Sequence, residues 1–556
     1  MFPLLTRHNP RRANAFYAAG HWRDDTLYAL LRQHANTRPQ RYALRDSARR
    51  LTWRELADWV DVVAQDLHEA GLKPGDRVSV WLPNRAETIA VTLACSRMGY
   101  VCNPSLHQTY TADDVCGLLG RIQSRVLFMQ PGFGGDAARS GNDLVGKAYQ
   151  VSSIRRVYEV QPVARAGVPR CAGGAPGLPP PVEDPDKIVL LAFTSGTTGE
   201  PKGVMHSDNT LLANARAMAR DWRHHEDIVL FTMSPLTHAI GTIAMAQSLV
   251  SGFELVVNDV PAGLKPLDWI IETGANYVMG VPTHAIDLLA EARRRGGGAP
   301  ATGGVRLGAV KIFYMGGSAI PRETVRELRA MNIVPQNVYG MTENGAHQYT
   351  LPDDDELTIE ETCGAACPGY EVKIWNPDNM DEALPTGEVG EIGGRGACLM
   401  LGYFNNQTAT EQSFNNDGWF MSGDLGRLDA AGRLIIVGRK KDIIIRGGRN
   451  IHPAKIEDLA RAHPAVQKAA AFAVADARLG EKVCLAVVPH EGCAVQPDEL
   501  LAHLAARGLS KYDMPEYFIA LNALPLTASG KILKRELVEQ VRRGDIVPRP
   551  VRWQAS

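Results

Sequence analysis

The sequence predicts an α/β protein in two parts: a large, multi-subdomain α/β domain over residues 1–440 and a small α+β domain over 441–556. Three observations predict this. Helix and strand patterns alternate through the first part. A composition change near Gly438-Arg439-Lys440-Lys441-Asp442 opens a block with helices and strands of its own. The chain has 556 residues and 45% apolar content, enough for more than one core when a domain takes about 100–200 residues.

The elements follow in order. Thr52-Trp53-Arg54-Glu55 reads as a capping box, from which an amphipathic helix should run to a stop at Gly71. Lys73-Pro74-Gly75-Asp76 is a turn, residues 77–82 are a strand, and 86–98 are a second helix. The Pro/Gly/Ala-rich stretch 163–185 and the Arg/Gly stretch 293–304 read as spacers without chemistry. In the small domain, helices are expected over 456–462 and 498–507, the latter with Asp498 as N-cap and Gly508 as stop. Strands are expected over 470–474 and 483–488.

Composition excludes several classes. A net charge of −1 gives no long-range attraction to nucleic acid or an acidic membrane. The nine cysteines are odd in number and lack paired CxxC spacing, which argues against a disulfide frame or zinc site. Cys363-x-x-x-Cys367 reads as an ordinary reduced loop. Arg7, Arg11 and Arg12 precede no apolar stretch, so no signal peptide is expected. No run approaches the ~18 apolar residues of a membrane span. A soluble cytoplasmic enzyme is the expectation.

Chemistry concentrates in Phe193-Thr194-Ser195-Gly196-Thr197-Thr198-Gly199-Glu200-Pro201-Lys202-Gly203, which follows the apolar strand 188–192. Glycines let amides approach an anion, hydroxyls add donors and Lys202 adds charge, so this is a phosphate-gripping loop. It is not a Walker A loop, because Glu200-Pro201 precede the lysine and Gly203 follows it.

This string resembles the phosphate loop of the adenylate-forming (ANL) superfamily of acyl-CoA synthetases, luciferases and peptide-synthetase adenylation domains. Further motifs stand in the same order. Tyr339-Gly340-Met341-Thr342-Glu343 follows an expected strand at 335–338. The resemblance implies that Tyr339 stacks on adenine, Thr342 contacts the α-phosphate and Glu343 holds Mg²⁺. An aromatic face suits a purine, and a hard carboxylate suits Mg²⁺. In Trp419-Phe420-Met421-Ser422-Gly423-Asp424, Ser422 replaces the family threonine, and Asp424 is implied to bind the ribose hydroxyls. Gly387-Glu388-Val389-Gly390-Glu391-Ile392 and the stretch from Arg395 to Gly402-Tyr403 read as turns and sheet rather than catalysis.

In Gly438-Arg439-Lys440-Lys441-Asp442, the resemblance assigns ribose binding to Arg439 and the hinge of a mobile small domain to Lys441. It places Gly447 and Gly448 along a pantetheine channel, where a side chain would block the thiol. Pro525 to Arg535 resembles the motif of the catalytic lysine, here Lys531, with Lys534 and Arg535 as solvated charges. In Pro235-Leu236-Thr237-His238-Ala239-Ile240-Gly241, His238 is implied to gate the carboxylate site. Ala239, Gly241, Gly316 and Gly317 are placed at the acyl pocket. Amino-acid adenylation domains carry Phe-Asp near His238, and hydroxyaryl-acid ligases carry Asn after it. Ala239 offers no such anchor, so a simple apolar acyl group is expected. Asp208 stands where the family often has a second histidine.

The implied reaction is ATP-dependent, Mg²⁺-assisted activation of a carboxylic acid as its adenylate, followed by thioester formation with coenzyme A. Medium-chain, alicyclic and aromatic acids are the nearest substrate classes. The rivals are a stand-alone adenylating enzyme serving a separate carrier protein, a luciferase-like oxygenase, and a non-catalytic nucleotide-binding sensor. A fused carrier has no room after Lys531, and a sensor would be expected to have lost Lys531, Glu343 or Asp424. Pro525 and Gly530-Lys531 also resemble the site at which lysine acetyltransferases silence acyl-CoA ligases. That implies an acetyltransferase and a deacetylase as partners.

Overall fold

The computed structural model describes residues 5–104, 108, 110–135, 143–161, 177–194, 201–296, 307–318, 320–526 and 532–553. Ser195, Gly196, Thr197, Thr198 and Gly199 of the phosphate loop, Cys171, most of both expected spacers, and Lys531 lie outside them. Contacts divide the chain into two compact units, Met1–Glu371 with Gly394–Phe414, and Val372–Gly393 with Asn415–Ser556. The division groups residues 415–440 with the small block, ahead of the boundary read at Lys441 from composition.

The first unit is built on two sheets. One has strand order Arg156–Glu159, Ser124–Met129, Arg77–Trp81, Val101–Asn103, Ile188–Thr194, Lys202–Ser207. All neighbours are parallel except the last pair, an antiparallel hairpin. Val78 to Trp81 are buried, as expected of parallel strands covered on both faces. The helix Trp53–Glu69 starts at the predicted capping box: the Glu55 amide donates to Thr52 Oγ1 at 3.2 Å and the Thr52 amide to Glu55 Oε2 at 2.9 Å. Gly71, at φ +76°, takes the left-handed turn that follows it. The helix Ala86–Met98 has the predicted bounds. All of its residues except Glu87 are buried, which is why its periodicity is weak.

The second sheet contains, in spatial order, Ala365–Ala366, Gly345–Tyr349, Val334–Met341, Ile312–Gly316, Tyr277–Gly280, Val229–Thr232, Glu254–Val257, Tyr42–Arg45 and Arg50–Thr52. Its centre is parallel. Phe231, Val278, Phe313 and Met315 bury one face against Trp269, Leu288, Leu289 and Leu328 on the connecting helices.

In the other unit, a five-stranded sheet includes Phe420–Leu428 and Leu434–Arg439, with Trp375 and Trp419 packed at 5.6 Å beneath it. A second sheet centres on the hairpin Val466–Asp476 and Gly480–Pro489, longer than the predicted strands. Its helices are Pro453–Arg461, Pro497–Ala506 and Lys534–Arg543. Asp498 is not the N-cap. Pro497 occupies the first helical position, where its fixed φ and missing amide are tolerated, so Gln496 is the cap and Asp498 falls in the first turn. Gly508 follows the Arg507 cap at φ +83°, as the stop signal required. Cys363 and Cys367 are free thiols, as are the other described cysteines. Among the described residues, no helix is long and apolar enough to cross a membrane.

Candidate active site

The strands Ile188–Thr194 and Lys202–Ser207 form an antiparallel hairpin. Thr194 pairs with Lys202 across the strands Ile188–Thr194 and Lys202–Ser207, so the intervening loop starts and finishes at one point of the sheet. A Cβ on Gly203 would stand 2.9 Å from the Phe193 ring, so close packing requires this glycine. The Arg121 guanidinium lies 5.1 Å from the centre of the same ring and donates to the Pro201 carbonyl.

A distant segment forms a rib along this hairpin. The Leu401 amide donates to the Met205 carbonyl at 2.9 Å, Met205 to Gly402 at 3.0 Å, and Phe404 to Gly203 at 2.7 Å. One residue before this rib, the Met400 amide donates to the Glu343 carbonyl at 2.7 Å. The rib therefore ties the strand Lys202–Ser207 to the turn bearing Thr342 and Glu343.

That turn closes the strands Val334–Met341 and Gly345–Tyr349. The Met341 amide donates to Asn344 Oδ1 at 3.0 Å, and a Cβ on Gly340 would overlap the Gly345 carbonyl. Tyr339 meets His347 edge-on at 5.3 Å, and His347 stacks on Tyr370 at 4.3 Å. Tyr339, Thr342 and Glu343 are all half-exposed. The Tyr403 hydroxyl donates to Glu343 Oε1 at 3.0 Å, and Lys202 Nζ lies 4.9 Å from the centre of the Tyr403 ring. The sequence reading took Tyr403 as sheet. The structure places it between two predicted site residues.

His206 was also missed. It is buried beneath the turn, with Nε2 2.7 Å from the Thr342 carbonyl and Nδ1 3.0 Å from the Thr210 hydroxyl. A carbonyl can only accept, so Nε2 carries the proton and the neutral ring holds Thr342 in place. Burial pushes its pKa down to about 4. The ordinary value is 6.5, so the unfolded chain binds more protons between pH 6.5 and 4. This contribution is complete above pH 6.5 and is lost as pH falls toward 4. The unfolding free energy from urea denaturation should drop through that window, by up to about 3 kcal/mol from His206 alone. His206→Gln should flatten the slope, and an unchanged slope would show that other groups carry it.

An open-sided pocket adjoins this turn. Leu190 and Ala192 of the hairpin, Leu211, and Ala239, Ile243 and Ala246 of the helix Ala239–Ser251 give it apolar walls. Thr210, Asn214, Thr242, His206, Thr342, Gly345 and Cys398 complete it, and none of the described lining residues is charged. Asn214 spends its amide on the backbone of Ala346, accepting at 3.0 Å and donating at 2.8 Å.

The sequence-predicted pocket residues separate here. Ala239 lines the cavity, whereas Gly241, Gly316 and Gly317 do not. A Cβ on Gly241 would lie 2.6 Å from the Pro235 carbonyl and 2.7 Å from the Leu236 Cα, so this glycine serves helix packing. Gly316 ends its strand and Gly317 turns the chain at φ +93°. His238 caps the helix Ala239–Ser251, its Nδ1 facing the Ile240 amide at 3.4 Å. Asp208, the departure from the family pattern, is a buried structural hub. It accepts from the Leu27 amide at 2.8 Å, Ser96 at 2.7 Å and Lys187 Nζ at 2.7 Å.

In the smaller unit, Asp424 and Arg439 pair across adjacent strands, with Arg439 Nε 3.2 Å from Asp424 Oδ1. The Asp424 amide donates to the Ser422 hydroxyl at 3.1 Å, showing what the retained hydroxyl does. Glu391, read from sequence as structural, is buried and accepts from the Gly423 amide at 3.1 Å and Lys440 Nζ at 3.0 Å. Lys441 sits in the short 3₁₀ turn Lys440–Asp442, its pKa lowered by burial and by the Arg439 charge. Gly447 and Gly448 form a two-residue hairpin turn between paired Arg446 and Arg449, at φ +57° and +82°. Two consecutive left-handed residues account for both glycines without invoking a channel.

Residues 31–404 match the AMP-binding enzyme family, and residues 455–531 match the AMP-binding enzyme C-terminal domain. The medium-chain fatty-acid–CoA ligase of Escherichia coli (strain K12) is 30% identical over 549 residues, covering 97% of this chain and 94% of that protein. The salicyl-AMP ligase / salicyl-S-ArCP synthetase of Mycobacterium tuberculosis is 31% identical over 542 residues, covering 95% and 93%. Among solved structures, ATP-bound MatB from Rhodopseudomonas palustris is similar with a TM-score of 0.81 at 28% identity, covering 93% of this chain and 99% of that one. A match over more than half of the chain, resumed in its C-terminal block, makes this protein a member of the AMP-binding, adenylate-forming enzyme family.

Proposed function

We propose that this protein is an ATP-dependent, AMP-forming carboxylic acid–CoA ligase acting on an uncharged, largely apolar acid. The observation that carries the substrate class is the neutral cavity running from Leu190, Ile243 and Ala246 to Thr342. Its polar groups are paired within the protein where Asn214 and His206 contribute them, so a charged or hydrogen-bonding tail would enter without compensation. Similarity to the Escherichia coli medium-chain fatty-acid ligase supports the same class.

In the first step a carboxylate oxygen attacks the α-phosphorus, the bond to the bridging oxygen breaks, and pyrophosphate leaves. Thr342 and the Thr194–Lys202 hairpin face the phosphate chain in this reading, and Tyr339 carries the adenine. Asp424 and Arg439 take the ribose. Glu343 fits a magnesium ion, since its half-exposed carboxylate offers several acceptor positions and Tyr403 engages one oxygen. Mg²⁺ bound there would neutralise charge on the phosphate oxygens. Lys531 would add positive charge in this step, a role implied by its motif. In the second step the CoA thiolate attacks the acyl carbonyl, AMP leaves, and the thiol proton passes to solvent. Rotation of the small domain about Lys441 separates the two steps. Acetylation of Lys531 would silence the first, a reading supported by the motif alone.

Pyrophosphate release over a panel of acids, with and without CoA, tests the function. Turnover requiring CoA and favouring medium-chain, alicyclic or aromatic acids is expected. The Mycobacterium tuberculosis relative favours carrier loading as a second reading, and release unaffected by CoA would support it. Ala239→Leu should shift preference toward shorter acids, since overfilling a packed wall costs roughly 1–3 kcal/mol. Gly241→Leu should destabilise the helix start instead, because its clash is with backbone. An unchanged acid ranking in Ala239→Leu would move the acyl group out of this cavity.

A further inference from the structure

Tyr403 is nearly buried, and every bond around it limits its motion. Its amide donates to the Thr410 hydroxyl at 3.0 Å, and its backbone bridges Val204 on the hairpin. The neighbouring Phe404 amide is fixed on Gly203 at 2.7 Å. From this rigid mount the hydroxyl reaches Glu343 Oε1 at 3.0 Å, and the ring face lies 4.9 Å from Lys202 Nζ. One side chain thus touches both the carboxylate of the turn and the cation of the hairpin. A carboxylate oxygen can only accept, so the Tyr403 phenol is the donor in this contact.

A carboxylate gripped at one oxygen by a fixed hydroxyl has its plane and direction set. An ammonium over an aromatic face is held by the ring quadrupole and directed along it. We propose that Tyr403 is a positioning residue that presets the Glu343 carboxylate for the metal of metal–ATP and, through its ring, the Lys202 ammonium for the phosphates. The proposal rests on the reading of Glu343 as the metal carboxylate. It assigns the two parts of Tyr403 different partners: hydroxyl to metal, ring to nucleotide.

The test is calorimetric titration of ATP into the full chain, without acid substrate, in Mg²⁺ and separately in EDTA. The ratio of the two affinities reports the metal-linked gain. Tyr403→Phe keeps the ring and all backbone bonds. It should lose about tenfold of that gain, the low end of the 10–100-fold seen when partners of metal ligands are removed, with ATP affinity in EDTA within twofold of the parent. Tyr403→Leu removes the ring as well and should also weaken ATP in EDTA, at least threefold. Glu343→Gln, as the control, should lose the whole gain. If Glu343→Gln keeps the gain, the metal reading of Glu343 falls. If Glu343→Gln loses it while Tyr403→Phe retains it in full, the positioning role falls. Equal loss by Tyr403→Phe in both buffers would assign Tyr403 a merely structural part and overturn the proposal.

Discussion

Lys531→Ala is expected to lose adenylate formation by about 10²–10³-fold, the cost of deleting one preorganised group that stabilises transition-state charge. Thioester formation from supplied acyl-adenylate should stay within a few-fold of the parent. In the proposed cycle the lysine acts only while charge builds on the phosphate and the carboxylate approaches. Once the adenylate exists, the reacting centre is a carbonyl and the incoming group is a thiolate, and the ammonium has nothing left to do. Pyrophosphate release and CoA-dependent consumption of a synthetic acyl-adenylate separate the two. Equal loss in both half-reactions would refute a two-conformation cycle with Lys531 confined to the first.

Gly340→Ala is expected to damage both stability and activity. The added methyl would coincide with the Gly345 carbonyl, at the point where the pairing of the strands Val334–Met341 and Gly345–Tyr349 shifts register. Neither partner is a movable side chain tip, so the strands must part. A cost of about 3 kcal/mol, the upper part of the range for overpacking, is expected in urea denaturation. The parting would also displace Thr342 and Glu343, and a shift of about 1 Å at a reacting geometry costs on the order of 10²-fold in rate. A protein with the parental urea midpoint and parental pyrophosphate release would show that the turn tolerates the methyl and that Gly340 is not required.

Much of the fold was legible where local rules act alone. The capping box at Thr52 and Glu55 and the stop at Gly71 depend on neighbouring residues only. The helix Ala86–Met98 was found from its bounds, not its faces, because all of it but Glu87 is buried. Asp498 was misplaced because two start signals compete within two residues, and the proline wins by having no amide to satisfy. The site was legible as motifs but not as contacts. Thr342 and Glu343 fall on one turn and Tyr339 on the strand leading into it, as their adjacency required. Tyr403 and His206 reach that turn from elsewhere in the sequence, and no spacing rule connects them. Ala239 and Gly241 stand in one motif, yet helix residues two apart do not share a face, and of the two only Ala239 lines the pocket. Gly447 and Gly448 carry a left-handed turn, so their identity alone does not argue for a channel.

The rib at residues 401–404 also sets a clock for biosynthesis. The strand Lys202–Ser207 is the edge of its sheet, and its outer amides and carbonyls await partners that are translated roughly 200 residues later. At about 5–20 residues per second, the nascent chain carries that edge uncovered for some 10–40 s. An exposed edge strand with Val204 and Met205 on it is a template for pairing with another chain. Translation arrest or truncation before residue 401 should therefore yield a chain that aggregates through this hairpin, and a holdase chaperone would find its target there.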